Sequence, residues 1–121
     1  MKLDLKERLL KLITKVQNKD WVLLDNATFT SVTTITNTVS VDTTKIVGFY
    51  VVGACISSYI PRLTNVSAYS TTGYYYVSAA YGIRTYIDIT INSANQITIR
   101  YRLETKGNLD GYPSYQVFYR Y

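Results

Sequence analysis

Histidine is absent from the 121-residue chain, cysteine occurs once, and charged residues make up only 17%. Without histidine there is no Ser-His-Asp or Cys-His arrangement, no imidazole general base and none of the common zinc-ligand sets. Cys55 cannot close an intrachain disulfide. Set in the apolar run FYVVGACISS, it reads as a small core residue, since a reactive thiol would need a basic neighbour. The longest apolar runs, such as Ile46 to Ile56, fall short of the ~20 residues that cross a bilayer, so no membrane insertion is expected. No glycine-rich phosphate loop, EF-hand or GxGxxG motif occurs. The carboxylates outside the first twenty residues, Asp25, Asp42, Asp88, Glu104 and Asp110, are not spaced to place two on one strand face. The chain is therefore expected to be no enzyme and to need no cofactor or metal.

With 47% hydrophobic residues the chain can bury a core, and its length suits one β-domain. Its polar surface is carried by Thr, Ser, Asn and Tyr in place of charges. The formal charge of +5 is uneven, because Lys2, Lys6, Arg8, Lys11, Lys15 and Lys19 against Asp4, Glu7 and Asp20 put +3 of it in residues 1–20. Those lysines belong to one predicted helix and read as its solvated face, so no nucleic-acid partner is expected. Charges recur throughout this stretch without an apolar signal core, so it is expected to belong to the mature protein.

The segment KLDLKERLLKLITKVQNKD has the spacing of an amphipathic helix. Leu5, Leu9, Leu12 and Val16 form one stripe, widened by Leu3, Leu10 and Ile13. Two heptads are marginal alone in water, so the stripe requires cover, either from the chain's own β-domain or from copies of itself. Oligomerisation through Leu5, Leu9, Leu12 and Val16 into a homotrimer is the reading preferred here.

From Trp21 onward the period changes from 3.6 to 2. Strands are predicted over 21–30, 33–41, 45–54, 73–81, 83–92, 96–104 and 114–121. Seven short strands without a second helix predict a mainly β domain over 21–121, an antiparallel β-sandwich or jelly roll behind the helix of 1–20. In IRTYIDITINSANQITIRYRL the apolar faces match when Ile91 pairs with Ile97, Ile89 with Ile99 and Ile87 with Tyr101. That register predicts a three-residue loop, Ser93-Ala94-Asn95, with Asn95 left-handed, and sets Asp88 opposite Arg100 and Tyr86 opposite Arg102.

The chain contains 13 tyrosines. Most are expected in packing and subunit contacts. Tyr69 and Tyr74 near SAYSTTG, and Tyr112 in KGNLDGYPS, fall beside turn residues and are the candidate ligand-binding set, since tyrosine offers a rigid ring and a polar tip.

WVLLDNATFTSVTTITNTVSVDTTKIVGFYVVGA resembles the opening of the β-sandwich modules at the distal ends of bacteriophage tail fibres and receptor-binding proteins. In those, a Trp-containing strand is followed by Thr/Ser-rich strands, a phrase like VSVDTTKI and a buried strand like FYVVGA. The resemblance extends over residues 21–121. It implies a virion component of tail or capsid surface, a homotrimeric knob contacting other virion proteins and engaging host-surface glycan or protein. A monomeric carbohydrate-binding module and a purely structural virion protein are the alternatives.

Overall fold

The change of period at Trp21 is where the described strands begin. A computed structural model describes residues 21–78, 81–107 and 111–121. The predicted helix of 1–20, with Leu5, Leu9, Leu12 and Val16, lies outside the described residues.

Among the described residues eight strands follow in order: β1 (Val22–Thr28), β2 (Thr34–Ser40), β3 (Gly48–Gly53), β4 (Ser57–Pro61), β5 (Ala68–Ser78), β6 (Tyr81–Ser93), β7 (Gln96–Lys106) and β8 (Ser114–Arg120). They form two four-stranded antiparallel sheets, β1-β8-β3-β4 (sheet A) and β2-β7-β6-β5 (sheet B). The fold is β-sandwich-like: β3–β4 is a hairpin within sheet A, β5–β6–β7 a meander within sheet B, and the remaining connections pass between sheets.

The alternating pattern decides which side of each sheet is buried. Ile87 and Ile89 of β6, Ile97, Ile99 and Tyr101 of β7, and Phe49, Val51 and Val117 of sheet A are all 0% exposed and belong to one core. Burying one such aliphatic side chain contributes roughly 1.5–3 kcal/mol. One polar bridge ties the open edge of this core. A register shift between Leu23 and Asp25 turns Leu24 inward and sets Asp25 between the sheets, where its Oδ2 accepts from Tyr101 Oη at 2.6 Å and Asn37 Nδ2 at 2.9 Å. A bulge is the usual device for re-aiming one side chain of a strand.

The predicted register of the β6–β7 hairpin is observed, with Ile91↔Ile97, Ile89↔Ile99, Ile87↔Tyr101, Asp88↔Arg100 and Tyr86↔Arg102. Its turn is tighter than expected. Ser93 pairs with Gln96, leaving Ala94 and Asn95 as the turn, and a shift between Ile91 and Ser93 absorbs the odd residue. Among described residues the left-handed non-glycine position is Asn65, not Asn95. Most strand boundaries shift by one to three residues, β3 starting at Gly48 instead of 45 because Thr43–Lys45 forms a 3-10 turn, and two differences are larger. β4 was not anticipated because SSYIP is short and ends in proline, which is tolerated at the end of this edge strand. β5 begins at Ala68 instead of 73, since AYSTTG pairs with β6 in place of forming a loop.

At Gly53, opposite Tyr115, β3 leaves no room for a side chain beside β8. A Cβ there would meet the Tyr115 ring and lie 2.5 Å from the Ser114 carbonyl oxygen, which as backbone cannot yield. Gly53→Ala is therefore expected to lower the unfolding free energy by about 1–3 kcal/mol, read from the urea midpoint. An unchanged midpoint would mean that the two strands do not meet this closely.

Candidate functional site

Each side chain that alternates away from the core of sheet B points outward, and the pairing arranges these residues in rows. Tyr74 lies opposite Arg84, and Arg84 opposite Thr105. The next row runs Thr72, Tyr86, Arg102, Thr34, and the one after it Ser70, Asp88, Arg100, Thr36. A fourth row, Ala68, Thr90, Thr98, Thr38, carries hydroxyls. This face thus gathers three arginines and two tyrosines in a field of threonine.

The cations are held on the rings. The guanidinium carbon of Arg102 lies 4.5 Å from the Tyr86 ring centroid and that of Arg84 lies 5.0 Å from the Tyr74 centroid. At the same end of the sheet, Lys106 Nζ sits 4.6 Å from the Tyr112 centroid. Each contact contributes about 0.5–1 kcal/mol at an exposed position. Its larger consequence is order: a stacked guanidinium uses its face and keeps its fork of N–H donors directed outward for planar anions.

Beside these pairs the rows of Asp88 and Thr90 form an open depression of about 390 Å³, lined by Tyr69, Ser70, Asp88, Thr90, Thr98 and Arg100, with Ala68 at its edge. Its floor holds an ion pair, Arg100 Nη2 to Asp88 Oδ2 at 3.4 Å, with both side chains more than a third exposed. Such a pair contributes ~0–1 kcal/mol and opens readily to other hydrogen-bonding groups. Hydroxyl, carboxylate and guanidinium groups converging on a concavity of this size suit the hydroxyl pairs of a sugar ring. Among the described residues no three His, Cys, Asp or Glu side chains converge as metal ligands.

The three candidate tyrosines separate. Tyr74, 52% exposed, and Tyr112, 44% exposed, stand at the end of sheet B and each carries a cation on its ring. Tyr69 is 8% exposed, packs against Phe49 at 5.8 Å, accepts from the Leu63 N–H at 3.0 Å and donates to the Val66 carbonyl at 2.9 Å. It closes the turn before β5 and also contributes to the lining of the depression beside Ser70. The arginines are what the sequence reading left ungathered: Arg102 and Arg100 were placed opposite Tyr86 and Asp88, but as register markers. The signal was present in the alternation of IRTYIDIT and IRYRLE, whose outward positions carry Arg84, Tyr86, Asp88, Arg100 and Arg102.

Sheet A differs on its outer side. Leu23, Phe118, Tyr50 and Tyr59 form one row across all four strands. Trp21 lies along it, with its ring centroid 5.6 Å from Tyr50 and 5.8 Å from Tyr59. Comparison with protein-family models, with curated proteins and with solved structures finds no match to this chain.

Proposed function

We propose that this chain is a non-enzymatic recognition module that engages an acidic surface glycan through the outer face of sheet B. The observation that carries this reading is the pair of ring-stacked arginines, Arg84 on Tyr74 and Arg102 on Tyr86, flanking a hydroxyl-lined depression. The arginines supply charge for carboxylate or sulfate groups, and Asp88, Thr90 and Thr98 supply partners for sugar hydroxyls. A single-stranded nucleic acid fits this face less well. Base stacking needs open rings, and here a cation covers a face of each of Tyr74, Tyr86 and Tyr112. The resemblance of residues 21–121 to phage tail-fibre tips supports a setting in which such a face is displayed to a host surface.

The test is retention on immobilised polysaccharides. Sulfated and uronic-acid polymers are expected to hold the protein at low salt and release it as salt rises, while uncharged polymers of the same length do not hold it. Equal retention by uncharged polymers, or a preference for a single-stranded oligonucleotide, would overturn the proposal.

A further inference from the structure

The outer face of sheet B is not uniform along its strands. At one end stand the stacked cations, Arg84 on Tyr74 and Arg102 on Tyr86, whose guanidinium groups each lie over a ring of the neighbouring strand and so lean the same way, towards β5. At the other end the side chains are neutral. Asn92 Nδ2 donates to Gln96 Oε1 at 3.2 Å and to Thr98 Oγ1 at 2.6 Å, which closes that end with amides and hydroxyls. The depression lies between the two. Among its lining residues the carboxylate of Asp88 is matched by the guanidinium of Arg100, 3.4 Å away.

This order sets different demands on successive sugars of one chain. Rows of an antiparallel sheet repeat every two residues, about 6.8 Å. The middle of the depression falls between the rows of Asp88 and Thr90, about one and a half such steps, or roughly 10 Å, from the row of Arg102. A ring seated in the depression therefore holds its neighbour, and not itself, against the stacked guanidinium groups. The seated ring meets Asp88, which accepts from hydroxyls, beside Arg100 and the hydroxyls of Thr90 and Thr98. A carboxylate or sulfate on that ring would face the Asp88 carboxylate, and the charge of Arg100 is already answered by Asp88. Like charges about 4 Å apart cost about 5-fold in affinity even at the dielectric of water.

We propose that the ligand of this face is a polymer in which acidic and neutral sugars alternate, with a neutral ring in the depression and the acidic group of the next ring on Arg102. This pattern rests on the acidic-glycan function proposed above and adds to it the order of charge along the chain. Asp88 is then the selecting residue. It rejects a ring that carries its own negative charge and holds the hydroxyls of a neutral one. Arg84, one row beyond Arg102, continues the cationic track for the rest of the polymer.

Two probes separate pattern from total charge: hyaluronan oligosaccharides, in which a uronic acid alternates with a neutral amino sugar, and oligogalacturonates of equal length, in which every ring is acidic. The galacturonate carries about twice the charge, so bulk attraction alone would favour it. Titration calorimetry of the full chain at physiological salt is expected instead to give hyaluronan the tighter binding, by about 5-fold or more. Asp88→Asn should erase this preference by raising galacturonate affinity several-fold more than hyaluronan affinity. Circular dichroism of the strands should be unaltered, because Asp88 lies outside the core. Equal or tighter binding of galacturonate by the parent protein would overturn the alternating pattern while leaving the acidic-glycan function standing. So would an Asp88→Asn variant that strengthens both ligands by one factor. Binding of neither probe, at low salt as well, would overturn that function and the pattern with it.

Discussion

With Arg84 and Arg102 both changed to alanine, affinity for an acidic polysaccharide is expected to fall at least about 100-fold. The magnitude follows from two charge-assisted contacts of roughly 1.5–3 kcal/mol each at about 1.4 kcal/mol per tenfold. Both side chains stand on the outer face, Arg84 stacked on Tyr74 and Arg102 on Tyr86, so folding should change by no more than the two ring contacts, about 0.5–1 kcal/mol each. Three companion variants separate charge from shape. Arg102→Lys keeps the charge but loses the planar fork, and should bind more weakly than the parent and better than Arg102→Ala. Asp88→Asn removes the acid opposing Arg100 and should strengthen retention if the ligand is anionic. Glu104→Gln, on the same strand as Arg102, should act in the same direction. Titration calorimetry at low and physiological salt gives all of these numbers. Undiminished binding by the double alanine variant would remove the face from the account.

Stability should collapse in alkali, and steeply. Tyr101 is 0% exposed and its hydroxyl donates to Asp25. Burial first, and then the adjacent carboxylate, push its phenol far above the ordinary range. Burial raises Tyr115 in the same way; its hydroxyl donates to Thr85 Oγ1 at 2.8 Å and lies 3.3 Å from Cys55 Sγ. In the unfolded chain both phenols ionise near about pH 10. Above that pH the unfolded state releases protons that the native state retains, so it binds fewer. Stability from these groups is thus complete below the unfolded value and is lost as pH climbs towards the folded one. Each tyrosine removes about 1.4 kcal/mol per pH unit in that window, and the two together about 2.7. Urea midpoints taken from about pH 9 to about pH 12 should be level at first and then fall. Tyr101→Phe should begin less stable by about 1–3 kcal/mol, since Asp25 loses a partner, yet show half the alkaline slope. A midpoint that stays level throughout would contradict the burial of both hydroxyls.

What could be read before the structure was local. Matching Ile87, Ile89 and Ile91 to Ile97, Ile99 and Tyr101 fixes the β6–β7 register, because a one-residue slip would expose every isoleucine. The outward set Arg84, Tyr86, Asp88, Arg100 and Arg102 follows from the same alternation. Pairing over long separations leaves no such trace. β1 meets β8 across most of the chain, and the row Leu23–Phe118–Tyr50–Tyr59 exists only after β8 slots between β1 and β3. The β4 strand and the first half of β5 were obscured by serine and threonine, which suit loops and strands equally. The same ambiguity placed Tyr69 beside a loop, whereas in β5 its parity points it inward beside Phe49. Asn95 was expected in the left-handed region of a three-residue loop, and the irregularity before Ser93 shortened that loop to a two-residue turn.

The two faces of the domain divide the account, with cations and hydroxyls on sheet B and an aromatic row on sheet A. The measurement that tests this most directly is a titration of isotope-labelled protein with a sulfated or uronic-acid oligosaccharide, followed by backbone and side-chain nitrogen shifts. Shifts are expected at Arg84, Tyr86, Asp88, Arg100 and Arg102, in the alternating pattern of an outward face, with the Trp21 indole unmoved. Shifts centred on Trp21, Tyr50 and Tyr59, or a spectrum indifferent to the acidic ligand, would contradict it.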